Sequence, residues 1–384
     1  MFLPRAITFI ILCLLWVSCV EVYEVNYHFN SDVITVDGFV TNGYGLTVTL
    51  KTARSEKATY YSVPLRNCEV EVRVGDGSVV KLTEYESGVY MAPATFNGQV
   101  GQTYQLHFRT PTGKVYESEK DQLRASPEID KIYHKYNRDG ILDRTGKRVA
   151  FSSLDVYVDF KDPANERNFY LWRWTDYEEQ GLCATCEGGK LDSKTFVCIP
   201  ERNSRMIYDY RCDAPCWEIF YSNEITVFSD IYSNGRKVEA QQVAKIPFYS
   251  MGGGFANRAA LVEIQQLSIS PNAYEYYKLL RDQAQNTGNL TDTPPSAIIG
   301  NVRNIDDSNE EVVGYFGTAG VSKSRHFIDK RPYSNAYKYL MLGREPSLEP
   351  DSPPMPPLFE SRPPLAPCVK SNTRTPTRPE GWLL

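Results

Sequence analysis

The residues with the most distinctive chemistry are cysteines. Five lie between positions 183 and 216 and another lies near the C-terminus, so the candidates for disulfide bonding are Cys183, Cys186, Cys198, Cys212, Cys216 and Cys368. In an intracellular protein the CxxC and CxxxC spacings would indicate zinc, whereas an exported protein oxidises such cysteines to disulfides. We expect disulfides and no metal, with zinc as the alternative. The pairing stays open because six cysteines can pair in many ways.

A further cysteine, Cys19, follows an apolar run. Residues 6–17 read AITFIILCLLWV after Arg5, which is typical of a secretory signal and shorter than the about 20 apolar residues that span a bilayer. Ser18 and Cys19 fit the end of a bacterial lipobox, where the thiol receives a diacylglycerol. We therefore predict a signal peptide at 1–18 and a lipidated tether at 19–30, anchored by acyl chains that each contribute about 0.8 kcal/mol per buried methylene. In the alternative, Cys19 is simply near the start of a secreted protein.

Besides Cys19 and the six disulfide candidates, the predicted mature chain has one more cysteine, Cys68, which stands alone at the start of a predicted strand. A buried cysteine without a partner behaves as a small hydrophobic residue. We expect Cys68 to be the free thiol.

Two carboxylates could support hydrolysis. Asp155 and Asp159 flank Tyr157 on one face of a predicted strand, and a pair of acids about 5 to 10 Å apart can hydrolyse a glycosidic bond. A half-solvated strand produces the same spacing, so a glycoside hydrolase is the weakest of the functions considered.

Three aromatic residues alternate along another strand. Tyr170, Trp172 and Trp174 share one face, which could form a platform or interface for a glycan or peptide. Core packing is the ordinary alternative for such residues.

Catalytic signatures are missing from the sequence. None of the four histidines lies in an HExxH arrangement, and there is no GxSxG elbow or phosphate-binding loop. We expect a protein that is not an enzyme, with no catalytic residue and no cofactor.

The overall composition limits the classes of partner that we expect. The formal net charge is −5 and no cluster of lysine and arginine occurs, so there is no electrostatic reason to expect nucleic acid. With 42% hydrophobic residues and 26 tyrosines, the chain has the composition of a folded, strand-rich protein.

The elements that position these residues are mainly β. Between residues 31 and 126, apolar and polar residues alternate in short runs separated by Gly, Asn or Asp turns, which predicts an N-terminal antiparallel β-sandwich of the immunoglobulin-like kind. A larger β-rich domain follows at 127–344, with a cysteine-rich insertion at 181–217.

One amphipathic helix is predicted at 271–286 in the second domain. Ser270 is placed to cap it, Pro271 fits its first position, and Ala273, Tyr277 and Leu280 share one face. The helix should therefore pack on a sheet. Residues 345–384 form a Pro-rich C-terminal tail, which Cys368 would fasten to the second domain if it joins the cysteine cluster.

Taken together, several stretches resemble a Bacteroidota family of outer-membrane lipoproteins known only as domain of unknown function four-two-four-nine. They are SCVEVYEV, ITVDGFVTN, ESGVYMAPATFNGQVGQTYQLHFRTPTGKVYES, SPEIDKIYHKY, DVYVDFKDPANERNFYLWRW, LSISPNAYEYYKLLRDQ, IIGNVRN and VVGYFGTAGVSKSRHFI. The match covers nearly the whole mature chain. It departs at the C-terminus, where the family often has a CxxC-type pair before a closing Trp and this chain has Cys368, Ser371 and Trp382.

The resemblance implies a location and a partner rather than a chemistry. Members look like lipoproteins encoded beside TonB-dependent receptors, which import large nutrients. By this analogy we expect a lipid-anchored protein of the outer membrane, facing the cell surface, that is a non-enzymatic accessory to such a receptor in nutrient capture or uptake. Direct binding of glycan or peptide is the alternative.

Overall fold

The computed structural model describes residues 32–56, 59–142, 150–164, 166–192, 194–201, 205, 207–250, 258–284, 298–333, 340–341 and 365–383. The predicted signal peptide (1–18), Cys19 and the tether up to residue 30 lie outside these residues. Within the described ranges, no helix has the length and apolar character needed to cross a membrane.

The described chain is mainly β, as predicted. Its strands in the first part of the chain are β1 (Val33–Thr41), β2 (Thr47–Glu56), β3 (Thr59–Pro64), β4 (Glu69–Val74), β5 (Val79–Glu86), β6 (Val89–Met91), β7 (Thr103–Arg109), β8 (Val115–Ser118) and β9 (Asp121–Gln122). The middle of the chain forms β10 (Ile129–Leu142), β11 (Ala150–Lys161), β12 (Phe169–Glu187), β13 (Gly189–Leu191), β14 (Cys198–Pro200), β15 (Ile207–Tyr221), β16 (Thr226–Ser229), β17 (Lys237–Pro247), β18 (Tyr249–Ser250) and β19 (Ala259–Ile269). The helix α1 (Pro271–Ala284) is followed by β20 (Val302–Asn304), β21 (Val312–Asp329), a 3-10 helix (Arg331–Tyr333), β22 (Leu340–Met341) and β23 (Arg374–Thr375).

The strands before residue 126 pack as a sandwich, which we call the N-terminal sandwich. One layer is formed by β1, β2, β3 and β6, and the other by β4, β7 and β8, with β5 hydrogen-bonded to a strand of each layer. Apolar side chains at alternate positions, such as Val36, Val48, Val72 and Leu106, fill the space between the layers. Period-two alternation therefore positions this core, as the sequence indicated.

A strand from late in the chain completes the N-terminal sandwich. The first half of β21 pairs in parallel with β1, from Ile34 opposite Val312 to Thr41 opposite Ala319, and β20 pairs with β8. Gly314 permits the close approach, because a Cβ atom at this position would collide with the carbonyl oxygen of Val36.

The second half of β21 belongs to a second sandwich, which we call the C-terminal sandwich. Here the order β21, β19, β12, β15 forms one sheet, and β10, β11 and β17 form the sheet that faces it. Aromatic and branched residues from both sheets, including Phe160, Trp172 and Ile264, pack between them. The predicted domain limits remain predictions, but the two sandwiches share β21.

The helix α1 lies on the opposite face of the β12 sheet. The Ser270 hydroxyl accepts a hydrogen bond from the Ala273 amide at 3.3 Å and so caps the helix as predicted. Ala273 and Tyr277 are its buried residues and pack with Phe39 and Leu267. The predicted residues 285 and 286 lie outside the described ranges.

The C-terminal segment from 365 to 383 is held against the C-terminal sandwich. Its strand β23 pairs with Trp217 and Glu218 of β15. The Trp382 ring packs edge-on against Trp217, with ring centroids 6.0 Å apart. This part of the predicted Pro-rich tail is therefore attached to the second part of the chain.

Candidate functional site

A cleft opens where the two sandwiches and α1 meet. Its volume is about 510 Å³, within the range of roughly 300 to 1,000 Å³ usual for small-molecule sites. It is lined by Asp37, Tyr44, Leu171, Trp172, Arg173, Trp174, Thr175, Tyr221, Ser222, Asn223, Glu224, Ile225, Gln265 and Tyr277. We call this site the inter-sandwich cleft.

The polar groups of the cleft come from separate elements. Asp37 lies on β1, Arg173 on β12 and Gln265 on β19. Asp37 and Arg173 are therefore brought together only because β21 joins the two sandwiches in one continuous sheet. The fold places a carboxylate, a guanidinium group and an amide at the edge of one concave surface.

Aromatic rings hold Arg173 in place. Its guanidinium carbon lies 5.3 Å from the centroid of the Phe39 ring, a distance at which a cation is attracted by the face of the ring. Phe39 in turn stacks on Tyr277 of α1, with centroids 5.9 Å apart. The side chain of Arg173 is half-buried, so its charged end is supported by the helix but remains accessible from the cleft.

The protein environment changes the acidity of two groups in the cleft. Asp37 is exposed to water in the cleft, but protein surrounds it on most sides. This desolvation raises the pKa of the Asp37 carboxyl, and Arg173 and Lys51 oppose the rise. Desolvation likewise raises the pKa of Tyr44, again against the effect of Arg173. Arg173 is thus the cation that both groups share.

A second cavity continues the cleft along α1. It measures about 390 Å³, shares Asp37 and Tyr277 with the inter-sandwich cleft, and is bordered by Lys51 and Tyr315. An elongated polar molecule could therefore contact both cavities, with Asp37 at their junction. Alternating charges, amides and tyrosines suit a ligand with many hydroxyl or amide groups, such as a short glycan or peptide.

The rings of the predicted aromatic platform are buried, although Trp172 and Trp174 are among the residues that border the cleft. Tyr170, Trp172 and Trp174 are 0%, 1% and 6% exposed, and all three pack in the core of the C-terminal sandwich. The Trp172 indole donates a hydrogen bond to the Gln266 side chain at 3.2 Å. This geometry favours the core-packing alternative for the three rings, because their faces are covered by protein.

Asp155 and Asp159 do not resemble a hydrolytic pair. Along an extended strand, residues four apart are separated by about 13 Å, more than the about 10 Å that paired acids require. Asp155 accepts hydrogen bonds from Ser153 and Asn137 at 2.6 and 2.9 Å, and Asp159 accepts one from the Ala240 amide at 2.8 Å. Both carboxylates are buried and satisfy groups within their own sheet.

All six candidate cysteines form disulfides, as predicted. The pairs are Cys183–Cys212, Cys186–Cys198 and Cys216–Cys368. Among the described residues Cys68 is the free cysteine, which confirms that expectation too.

The zinc alternative does not fit this pairing. The sulfurs of Cys183, Cys212 and Cys216 lie within 4.8 Å of one another, but each is already bonded in a disulfide. A metal ion would need the thiolates that oxidation removes.

Sequence patterns alone did not identify Asp37 or Arg173 as cleft residues. Arg173 stands between two tryptophans, and strand alternation could have placed it on the face opposite to theirs. Nothing local, however, predicts that β1 and β12 belong to one sheet, with β21 and β19 between them.

Comparisons with known proteins identify a sequence family and little else. The sequence model of a family described as Domain of unknown function (DUF4249) matches residues 20–325. No curated protein matches the chain. Among solved structures, a DUF4785 family protein from Legionella pneumophila matches with 10% identity and a TM-score of 0.16, over 61% of this chain and 52% of that one. The match thus spans about half of the Legionella protein, and its low score carries no argument about function.

Proposed function

We propose, from the premise that this chain belongs to the family described as Domain of unknown function (DUF4249), that it is a lipid-anchored outer-membrane protein that captures nutrients for a TonB-dependent receptor. The anchor is Cys19, and the proposed capture site is the inter-sandwich cleft. The observation that most directly supports nutrient capture is the open cleft with the charged residues Arg173 and Asp37 in its lining.

The anchor and the cleft suit one another physically. A lipidated Cys19 followed by a short tether would keep the sandwiches at the membrane surface without a spanning helix. A receptor in the same membrane is confined to the same surface as the protein, and this confinement raises the effective concentration of each for the other. Weak capture in an open cleft is sufficient under these conditions, because the molecule must also be released to the receptor.

The direct test of the anchor is the mass of the N-terminal peptide from protein extracted from its own membranes. We expect a peptide beginning at Cys19 and carrying diacylglycerol. A Cys19→Ala variant should lose the modification and appear in the soluble fraction. An unmodified Cys19 in the wild-type protein, or wild-type protein free of membranes, would contradict the proposal.

A specific observation favours glycan or peptide as the captured class. The cleft presents Arg173, Asp37 and Gln265 beside the exposed ring of Tyr221. It therefore combines hydrogen-bond donors and acceptors with an aromatic face. Glycan and peptide arrays probed with the purified protein test this assignment. Binding to neither class would remove it and leave the anchor untouched.

A further inference from the structure

Three ionisable side chains meet inside the C-terminal sandwich, outside the cleft. Asp176 and Glu178 point to the same side of β12, and Lys330 follows the last residue of β21. They are 0%, 0% and 1% exposed. The Lys330 ammonium directly contacts the Glu178 carboxylate, reaching across β19, which lies between their strands.

The surroundings of this contact are apolar. The Lys330 nitrogen lies 5.3 Å from the centroid of the Phe248 ring. Phe248 packs edge-on against Tyr136 and Tyr333, at 5.8 and 6.5 Å. The rings separate the contact from water, so every charge kept there carries the cost of desolvation.

Asp176 is the unusual member of the cluster. Both of its carboxyl oxygens are buried and accept no hydrogen bond from the described residues, and the neighbouring acid is Glu178. Desolvation, with repulsion from Glu178, raises the pKa of Asp176 well above its ordinary value, although Lys330 opposes the rise. Two acids share one base here, and the raised pKa makes Asp176 the acid that favours its protonated form, as a buried general acid requires.

We propose that Lys330 and Glu178 form an intramolecular amide bond, with Asp176 as the acid–base residue for the reaction. The contact already brings the nucleophile to the carboxyl group that it would attack. Exclusion of water favours condensation, and the product replaces two buried charges with a neutral amide that can be buried at lower cost.

The reaction balances without any external reagent. Lys330 passes a proton to Glu178, giving a neutral amine and a carboxylic acid. The Nζ lone pair then attacks Cδ of Glu178 and forms the C–N bond. Asp176 accepts a proton from the nitrogen while its own proton goes to the departing oxygen, the C–O bond breaks, and one water molecule leaves. Asp176 is protonated at the end, as at the start.

The bond would lock the shared strand. It would connect β12 with the end of β21 by joining Glu178 to Lys330, 152 positions later in the chain, and unlike a disulfide it would survive reduction. A protein exposed outside the cell would then keep the end of β21 attached to β12 within the C-terminal sandwich in a reducing or proteolytic environment.

Mass spectrometry of the full mature chain, extracted from its membranes, reduced, alkylated and digested with trypsin, tests the proposal. Trypsin does not cleave after an acylated lysine or between Arg331 and Pro332. We therefore expect peptide 174–190 linked to peptide 326–338, lighter than the two together by one water molecule. The exposed ion pair Lys237–Glu239 is the internal control and should be unlinked.

Two variants test separately the role of Lys330 as nucleophile and that of Asp176 as acid–base residue. Lys330→Arg keeps the charge, lacks the amine nucleophile, and should give no linked peptide. Asp176→Ala should slow linkage by about a hundredfold or more, as expected when general acid–base catalysis is lost, while the three disulfides in a non-reduced digest confirm folding. Separate peptides in the wild type, a link mapped to Asp176, or undiminished linkage in Asp176→Ala would overturn the proposal.

Discussion

A disulfide joins Cys216 of β15 to Cys368, 152 positions later in the chain. The other end of the same C-terminal segment is held by Trp382, which packs against Trp217 and Phe327. Covalent and apolar contacts therefore fasten the segment on both sides of β23.

Removing this disulfide should destabilise the protein more than removing a short-range one. In the chain-entropy model, closing a loop of this length contributes about 5 kcal/mol, against about 3 kcal/mol for the 12-position separation of Cys186 and Cys198. We expect the double variant Cys216→Ala/Cys368→Ala to lose more free energy of unfolding in urea than Cys186→Ala/Cys198→Ala. Replacing the free Cys68 with Ala is the control for cysteine substitution, and equal losses for the two pairs would contradict the argument.

Arg173→Ala should weaken ligand binding with little effect on folding. Arg173 is half-buried and provides the cation of the inter-sandwich cleft, so its loss removes charge-assisted hydrogen bonds, each contributing about 1.5 to 3 kcal/mol. Titration of the glycan or peptide found on the arrays should show affinity lowered by about tenfold or more. The exposed Arg303 of β20 is the matched control, and Arg303→Ala should bind as the wild type does. Equal affinities for the two variants would remove the cleft as the binding site.

Trp172→Ala should have the opposite effect, although Trp172 is next to Arg173 in sequence. Its indole is 1% exposed, so truncation leaves a core cavity that costs about 3 to 5 kcal/mol. We expect a clear decrease in the urea midpoint, and wild-type affinity under conditions where the variant stays folded. Lost binding with unchanged stability would restore the aromatic platform as the site.

The contact between His134 and His326 should make stability depend on pH. Their ring nitrogens Nδ1 and Nε2 lie 2.8 Å apart, which requires one to donate and the other to accept. Desolvation and the neighbouring His134 lower the pKa of His326 to about 4. Because this pKa is lowered in the folded state, the unfolded chain takes up the proton first as the pH falls. The free energy of unfolding is therefore highest above pH 6.5, the ordinary histidine value, and decreases between about pH 6.5 and about pH 4.

We expect the free energy of unfolding to fall more between pH 7 and pH 4 in the wild type than in His326→Gln, by about 1 to 2 kcal/mol. The difference is no larger because solvent partly screens the half-buried rings. Urea unfolding at a series of pH values measures the difference. Parallel curves for the two proteins would show that His326 does not contribute.

The sequence predicts single strands far better than their partners. Alternation in residues 32–41 and 103–110 locates β1 and β7, and Ser270 with Pro271 locates the start of α1, because these signals are local. The pairing of β1 with β21 joins residues 278 positions apart, from Ile34 to Val312. The meeting of Asp37 with Arg173 and the disulfide partner of Cys216 also depend on residues far apart in the sequence. Local sequence signals do not predict contacts between residues that are far apart in the chain.

The aromatic residues of β12 show the same limit. Their spacing correctly places Tyr170, Trp172 and Trp174 on one face, but only the second sheet, formed by β10, β11 and β17, shows that this face is covered. Burial is a property of the assembled layers, so the alternation alone was compatible with core packing, the ordinary interpretation, and also with a platform.

Purification from native membranes in mild detergent tests the central proposal, that this protein is an outer-membrane lipoprotein that assists a TonB-dependent receptor. The tagged wild-type protein should recover such a receptor in near-equal amount, identified by mass spectrometry, and Cys19→Ala should recover little of it. Recovery of the intact, acylated lipoprotein with no receptor at any detergent concentration that preserves other membrane complexes would contradict the account.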